Sequence, residues 1–580
     1  MIKCSSDNIL NIILQFFNLN LSKGLVSSSW CKGIINPIHK EGDKSNPENY
    51  RGICIMNSLQ KILCMMLNNR IVSFLLDKDV INKCQIGFMK GNRTTDHIMT
   101  LKAIVNKYVH DKNEKIYACF VDFKKAFDSI NQHKMFYKLQ RTGINGKILN
   151  LLRNIYDKSY CSLKINDKLT QHFKYEKGVL QGNPLSPILF NVYINDLFVE
   201  LSKVNDSPVT LNDKDKIFAL MFADDLIILS TSKNGLQKSL DKLDLYCKKW
   251  DLEVNLKKTK CMTFKKGNKV DNTSFLYRNT NIEHVKVFKY LGLSINFKGN
   301  FLPTVQDLSN KANKAIYSLN NKIDLKYLSP NLKLKLFDYL ICPILLYGSE
   351  IWFPFIYQSS KKWDECAIEK VHLSYMKRIL GVNRSTTNVL VRAELGRLAL
   401  KDKCLLRNLN YIKYLNKKDN NTIVKQAFNC EIRNFDKRNT VLKTIAEFNE
   451  KLDETTNRHI NIIQMPLTET KKHVRKISIE EWKSSFQGST KADSYRLFKT
   501  IPKMETYLEH FEDIRYVKTL SKFRLSDHKL VIEEGRRVRP NINIEDRKCV
   551  DCKVIGDRVH FLIDCGLSGL GQGRVCDLQN

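Results

Sequence analysis
Hydrophobic positions along the chain follow two spacings. Near the amino end Ile9, Ile12, Ile13, Phe16 and Phe17 recur at helical intervals behind Ser5, Ser6 and Asp7, which offer caps, so this segment is expected to be a helix. Residues 117–122 form a short apolar run, which predicts a strand ending at Asp122. After Asp128 and Ser129 the spacing of Ile130, Met135, Phe136 and Leu139 becomes helical again and should stop near Gly143, with Asp128 assigned to capping. A second helix should follow Pro184 and Pro187 and bury Leu189, Phe190, Tyr193, Ile194 and Leu197 on one side. Apolar runs at 217–223 and 226–230 then flank Asp224 and Asp225, as in a tight hairpin with both carboxylates at its turn. Beyond about residue 300 the pattern changes to Lys-rich and Asn-rich segments of helical spacing, for example 305–340 and 393–414.

Composition narrows the function classes. At roughly one domain per 150 residues, a chain of 580 residues suggests about four modules. With 43% hydrophobic and 27% charged residues it can build cores, which excludes wholesale disorder. Its 95 Lys and Arg against 60 Asp and Glu leave a formal charge of +35, which calls for a polyanionic partner, nucleic acid first. The most apolar stretches considered, 9–17 and 217–229, are too short or too interrupted to span a bilayer, so no membrane partner is expected. The amino-terminal run lacks a small-residue cleavage site and the 17 cysteines form no dense framework, so the chain is not expected to be secreted.

The strongest chemical signal is Asp122, Asp224 and Asp225, each where an apolar strand ends. Such carboxylates repel one another and lose hydration, which a cation would offset. Oxygen ligands with open positions suit Mg²⁺ (or Mn²⁺), and two such ions can serve phosphoryl transfer. Paired aspartates are also common in solvated turns, so the pair alone leaves both readings open. At the carboxyl end Cys549, Cys552, His560 and Cys565 make a CxxC followed after seven residues by His and after four more by Cys. Three thiolates and an imidazole suit tetrahedral Zn²⁺, with Arg547, Lys548, Lys553 and Arg558 expected to place positive charge around it.

Three segments in order, Phe120-Val-Asp-Phe-Lys-Lys-Ala-Phe-Asp128, Gly178-Val-Leu-Gln-Gly-Asn-Pro-Leu-Ser-Pro187 and Phe222-Ala-Asp-Asp-Leu226, closely resemble successive motifs of reverse transcriptases. The match looks like the non-LTR (LINE-type) retrotransposon branch. Asn36-Pro-Ile-His-Lys-Glu-Gly-Asp43, Asn49-Tyr-Arg-Gly52, Gln85-Ile-Gly-Phe88, Asn255-Leu-Lys-Lys-Thr-Lys260, Lys289-Tyr-Leu-Gly292, Tyr347-Gly-Ser-Glu-Ile-Trp352 and Glu394-Leu-Gly-Arg397 agree in order. The resemblance implies that Asp122, Asp224 and Asp225 form the metal-binding acidic site. It implies that Phe127 lies under the incoming sugar and disfavours a ribose, and that Gln181 and Gly182 lie by the nucleotide. Lys40 and Arg51 would meet triphosphate oxygens, and Lys258 would donate a proton to departing pyrophosphate. Two positions depart from the family pattern, Leu180 where Arg is usual and Asn183 where Cys is usual, with at most altered nucleotide or template handling expected.

The expected fold is α+β, a right-hand polymerase with an antiparallel palm sheet. Fingers and an amino-terminal helix should occupy 1–110, the palm 111–295, a helical thumb 296–400, a basic helical connection 401–545 and a zinc-binding segment 546–580, the reverse transcriptase domain spanning about 30–295. The resemblance implies an RNA-directed DNA polymerase acting on an RNA template, a DNA primer or target DNA, and dNTPs, in the nucleus and/or cytoplasm. No endonuclease is expected ahead of the polymerase motifs, and the Gly-rich stretch after Cys565 suggests a truncated carboxyl end. The rival reading is a catalytically inert, retrotransposon-derived RNA-binding protein; a maturase-like splicing factor is disfavoured by the post-palm motifs.

Overall fold
The computed structural model describes residues 5–212, 215–433, 446–451 and 463–558, apart from 270, 272, 360, 361, 493, 511 and 512, together with 560, 561 and 565. The Gly-rich tail after Cys565 lies outside the described residues. The chain divides into two compact units, residues 1–300 with 418–434, and residues 301–417 with 435–580.

The first unit opens with helix α1 (Asp7–Lys23), as the spacing predicts, though Ser6 caps it without a side-chain hydrogen bond. Only Phe17 and Asn20 of α1 are buried, while Ile9, Ile12 and Phe16 stay exposed. Strands β1 (Lys32–His39) and β2 (Tyr50–Ile55) form an antiparallel pair. Helix α2 (Ser58–Asp77) follows, its first turn capped by the Asn57 side chain. Among the described residues α2 alone is a single helix long and apolar enough to cross a membrane, a segment the sequence reading passed over. Its Leu63, Leu67, Ile71 and Leu75, at helical spacing, form one buried stripe, while Met65 and Leu76 stay exposed.

Next come α3 (Thr94–Val105), β3 (Ile116–Val121), α4 (Gln132–Arg141), α5 (Gly146–Asp157), β4 (Tyr160–Ile165), β5 (Lys168–Leu169) and β6 (Phe173–Lys174). Strand β4 pairs in parallel with β1, so this sheet joins segments more than a hundred residues apart. Helices α6 (Ser186–Ile194) and α7 (Leu197–Ser202) replace the single helix expected after Pro187. Every residue of α6 except Pro187 is buried, because it runs through the core and has no solvent face, and Leu197 opens the next helix. The short strands β7 (Val209–Thr210) and β8 (Lys216–Ile217) lead to β9 (Ala219–Phe222) and β10 (Asp225–Ser230), then α8 (Lys233–Lys249) and β11 (Lys260–Phe264). The central sheet runs β11-β3-β10-β9, antiparallel throughout. Helix α8 buries Leu236, Leu240, Leu243 and Cys247 and packs on β3 and β10; α3 packs on β9. Two hairpins, β12 (Phe275–Tyr277) with β13 (Thr280–Ile282) and β14 (Val287–Tyr290) with β15 (Leu293–Asn296), complete the unit. The helix Ile423–Arg433, from the stretch expected to be a connection, also belongs here and packs on α3.

The described part of the second unit is helical, with isolated bridges and no named strand. Its polar interior explains two of the post-palm motifs. Glu394, fully buried, accepts hydrogen bonds from Tyr507 Oη at 2.6 Å, from Arg524 Nε at 2.6 Å and from Tyr495 Oη. Trp352, fully buried, donates its indole N–H to the Tyr347 carbonyl at 2.9 Å.

Candidate active site
Strand register brings the acidic residues together. Val121 of β3 pairs with Leu226 of β10, so the next residue outward on each strand, Asp122 and Asp225, emerges at the same edge of the sheet. Asp225 pairs with Phe222 across the β9–β10 hairpin, leaving Ala223 and Asp224 as a two-residue turn. Ala223 has φ +58°, the left-handed conformation that such turns need at their first central residue and that glycine normally supplies. For alanine it costs on the order of 1 kcal/mol or more.

All three carboxyls sit above the usual carboxylate range. Burial raises Asp224, and the charge of Asp122 adds to it; Arg51 and Lys40 pull the other way. Burial also raises Asp122, against Lys258, the Asn255 side chain and Lys40. Asp225 is pushed up to about 6 by burial, then by Asp224 and Asp122. An acidic trio under this strain fits a divalent cation, which removes the repulsion.

The Asn255–Lys260 motif cradles Asp122. Asn255 N–H donates to the Asp122 carbonyl at 2.7 Å, and Thr259 Oγ1 accepts from Asp122 N–H at 3.2 Å. Asn255 and Thr259 went unnoticed as site residues, although they lie inside a segment that the family resemblance marked. Lys258, in the same turn, makes an exposed ion pair with Glu41 at 3.3 Å. Lys40 and Arg51 are exposed on the loop joining β1 and β2 and on β2 itself, and both act electrostatically on Asp224 and Asp128.

Asp128 corrects the sequence reading. Helix α4 starts only at Gln132 and is capped by the Asn131 side chain, which accepts from Lys134 N–H at 3.2 Å. The intervening residues form a turn pinned to the strand-to-helix segment 178–181: Val179 N–H donates to the Phe127 carbonyl at 2.9 Å, and Gly178 N–H to the Ile130 carbonyl at 2.7 Å. Asp128 therefore faces Gln181, whose Nε2 donates to its Oδ1 at 2.8 Å. Burial raises the Asp128 carboxyl; Gln181, Lys125, Lys40 and Arg51 work to lower it.

Phe127 is only partly buried, stacks on Phe190 with ring centroids 4.7 Å apart, and meets Phe88 edge-on at 6.2 Å. Gly182 adopts φ +117°, and a Cβ there would lie 2.4 Å from the Cys54 carbonyl oxygen, so only glycine fits. Cys54 N–H in turn donates to the Gln181 carbonyl at 2.6 Å, tying β2 to this segment. The two departures face inward. Leu180 packs with Cys54 and Cys161, and Asn183 accepts from Leu185 N–H at 2.9 Å at the entry to α6.

At the other end of the chain the donor atoms of Cys549, Cys552, His560 and Cys565 all lie within 4.8 Å of one another, a set that could hold a metal ion. His560 is 6% exposed, with its ring beside the Cys549 thiol. The Cys552 backbone N–H, then the His560 ring and the Asp551 backbone N–H, lower the Cys549 thiol to about 6. These features fit a thiolate-rich zinc site. The expected ring of charge is only partly there. Arg547 and Arg558 are buried and spend their guanidinium groups on carbonyls, Arg547 on Ile542 and Ile532, Arg558 on Phe523 and Arg524.

An antiparallel sheet thus carries three carboxylates at one edge, with the cationic residues Lys40 and Arg51 in electrostatic reach of them. Residues 38–295 match the family model described as reverse transcriptase (RNA-dependent DNA polymerase), and this part of the chain is a reverse transcriptase domain. Its relatives are retrotransposon proteins. The chain is 27% identical over 345 residues to the Retrovirus-related Pol polyprotein from type-1 retrotransposable element R2 of Popillia japonica, covering 58% of this chain and 46% of that protein. It is 24% identical over 362 residues to the RNA-directed DNA polymerase from mobile element jockey of Drosophila melanogaster, covering 60% of this chain and 38% of that one. The chain thus aligns with less than half the length of these relatives. Among solved structures, telomerase from Candida tropicalis in complex with a fragment of telomeric RNA aligns at TM-score 0.36 and 16% identity, over 73% of this chain and 68% of that one. That likeness is too loose to bear on the assignment.

Proposed function
We propose that the chain is an RNA-directed DNA polymerase of the non-LTR retrotransposon type, extending a DNA primer 3′-hydroxyl with dNTPs on an RNA template. The observation that carries the reading is the convergence of Asp122, Asp224 and Asp225 at one sheet edge, with Lys40 and Arg51 in electrostatic reach. Asp122 and Asp224, with Asp225 beside them, would hold Mg²⁺ or Mn²⁺; when bound, such ions activate the attacking hydroxyl and stabilise the leaving oxygen. Arg51 and Lys40 bind the triphosphate, Arg through a bidentate fork and Lys as a point charge. Phe127, braced by Phe190, lies under the sugar and excludes a 2′-hydroxyl. Gln181 orients the nucleotide, and Gly182 lets the backbone approach it. Lys258 exchanges Glu41 for the departing pyrophosphate and donates a proton to it.

In this reading residues to about 110 serve as fingers, 111–295 as palm, 296–400 as thumb and 401–545 as connection, with zinc in the segment 546–580. Synthesis primed on chromosomal DNA would place the protein in the nucleus. The test is incorporation of labelled dNTPs on an RNA template with a DNA primer and Mg²⁺, wild type beside Asp224→Asn. Incorporation that vanishes in the variant supports the reading. A folded, RNA-binding wild type that incorporates nothing replaces it with the inert RNA-binding scaffold.

A further inference from the structure
We propose that Gln85 is a positioning residue for the acidic hairpin: its side-chain amide holds the backbone of Ala223 in the left-handed conformation that sets the place of Asp224. The inference deepens the polymerase reading and rests on it. Gln85 comes from the loop before α3, in the Gln85-Ile-Gly-Phe88 segment, to which the reading above assigns no role.

The amide is 2% exposed and spends itself on one turn. Its Oε1 accepts from Ala223 N–H at 3.1 Å and from Gly87 N–H at 3.0 Å, while its Nε2 donates to the Ala223 carbonyl at 3.2 Å. Both backbone polar groups of Ala223, at φ +58°, are thus bound by a single side chain. Burying an amide among apolar neighbours is unfavourable unless it is bonded, and a methionine would fill the same volume, so the hydrogen bonds are what the position supplies. The loop is fixed against the turn. Strand β9 is the sheet's edge, and the loop completes it: Met221 N–H donates to the Cys84 carbonyl at 2.9 Å and Ile86 N–H to the Met221 carbonyl at 3.1 Å. His97 Nε2 sits between those two carbonyls, 2.9 Å from Cys84 and 3.0 Å from Met221. A Cβ on Gly87 would lie 2.1 Å from Ala223 N, so the two backbones are in direct contact. Asp224 is one peptide away from the clamped residue. If Ala223 relaxes to negative φ, the carboxylate moves, and displacement of about 1 Å can cost on the order of 100-fold in rate.

The test compares Gln85→Met, which keeps the volume and removes the bonds, with Gln85→Glu, which keeps only the acceptor. Each is measured for single-nucleotide addition, template–primer affinity and melting temperature. The expected result for Gln85→Met is a kcat lower by roughly 10- to 100-fold with dNTP KM and template–primer Kd nearly unchanged. Adding Ala223→Gly should restore much of that loss, because glycine takes the left-handed conformation unaided. An unchanged kcat in Gln85→Met, or a loss that Ala223→Gly leaves in full, overturns the proposal. Should the wild type add no nucleotide, the polymerase reading falls separately. The clamp is then decided by hydrogen exchange of the peptide covering 219–225: faster exchange confined to it in Gln85→Met upholds the clamp, and unchanged exchange overturns it.

Discussion

Alanine at position 128 would remove the oxygen that holds Gln181, and the effect can be sized from the structure. The Gln181 Nε2 to Asp128 Oδ1 bond is 2.8 Å long and partly buried, with a charged acceptor. Hydrogen bonds to charged groups contribute about 1.5–3 kcal/mol. Partial solvent access argues for the lower end. At 1.36 kcal/mol per tenfold, Asp128→Ala should therefore lower kcat/KM for the dNTP by roughly tenfold or somewhat more. Asp128→Asn keeps an acceptor oxygen at the same place and gives up only the charge, so it should lose less, about threefold. The assay is single-nucleotide addition on an RNA template and DNA primer at varied dNTP, with melting temperature and template–primer affinity as controls. Equal losses in Ala and Asn would mean that the charge facing Lys40 and Arg51, and not the bond to Gln181, is what position 128 supplies. No loss in either variant would refute the role altogether.

Three further outcomes follow from the geometry. Phe127→Val, which removes the ring stacked on Phe190, should raise ribonucleotide incorporation relative to dNTP by an order of magnitude or more, read by competition on one template. Cys549→Ser should reduce bound zinc by about one ion per chain, measured by elemental analysis of purified protein, and leave the acidic site's Mg²⁺ dependence unchanged. The third concerns acid. Burial opposes ionisation of Glu369, yet His372 and Arg392 hold its carboxyl well below the usual range. Its folded value lies below the unfolded value of about 4.3, so its stabilising contribution is complete above that pH and is lost as pH falls toward the folded value. Glu369→Gln should cost about 3 kcal/mol at neutral pH, from the ion pair and bonds to Trp363 Nε1 and Leu400 N–H, and should flatten the acid limb of the melting curve.

Local pattern was informative where structure is local. The apolar run before Asp122, the apolar runs flanking Asp224 and Asp225 and the amino-terminal helix all follow from nearest-neighbour spacing, and the strands and helix lie close to where that spacing places them. Spacing was less reliable where burial is complete. Helix α6 has no polar face for a periodicity to mark, so its end and the start of α7 merged into one expected helix. Capping was misassigned at Asp128 because an aspartate before a helical run satisfies the local rule equally well; the competing partner, Gln181, lies 53 residues away. Arg547 and Arg558 read as surface charge for the same reason, since the carbonyls they satisfy are brought to them by packing.

The sequence by itself determined the class of chemistry. Three aspartates at the ends of apolar strands, in the order and company of the reverse transcriptase motifs, follow from residue identity and spacing along the chain. Tertiary structure alone decided what surrounds them: Asn255 and Thr259 on Asp122, Asp128 on Gln181, Cys54 against Gly182 and Gln85 on Ala223. Each of these contacts joins residues from 53 to 138 positions apart, or presses one backbone directly on another. Such contacts leave no periodic trace in the sequence, because the partners are chosen by how strands pair and helices pack and not by what stands next to them in the chain.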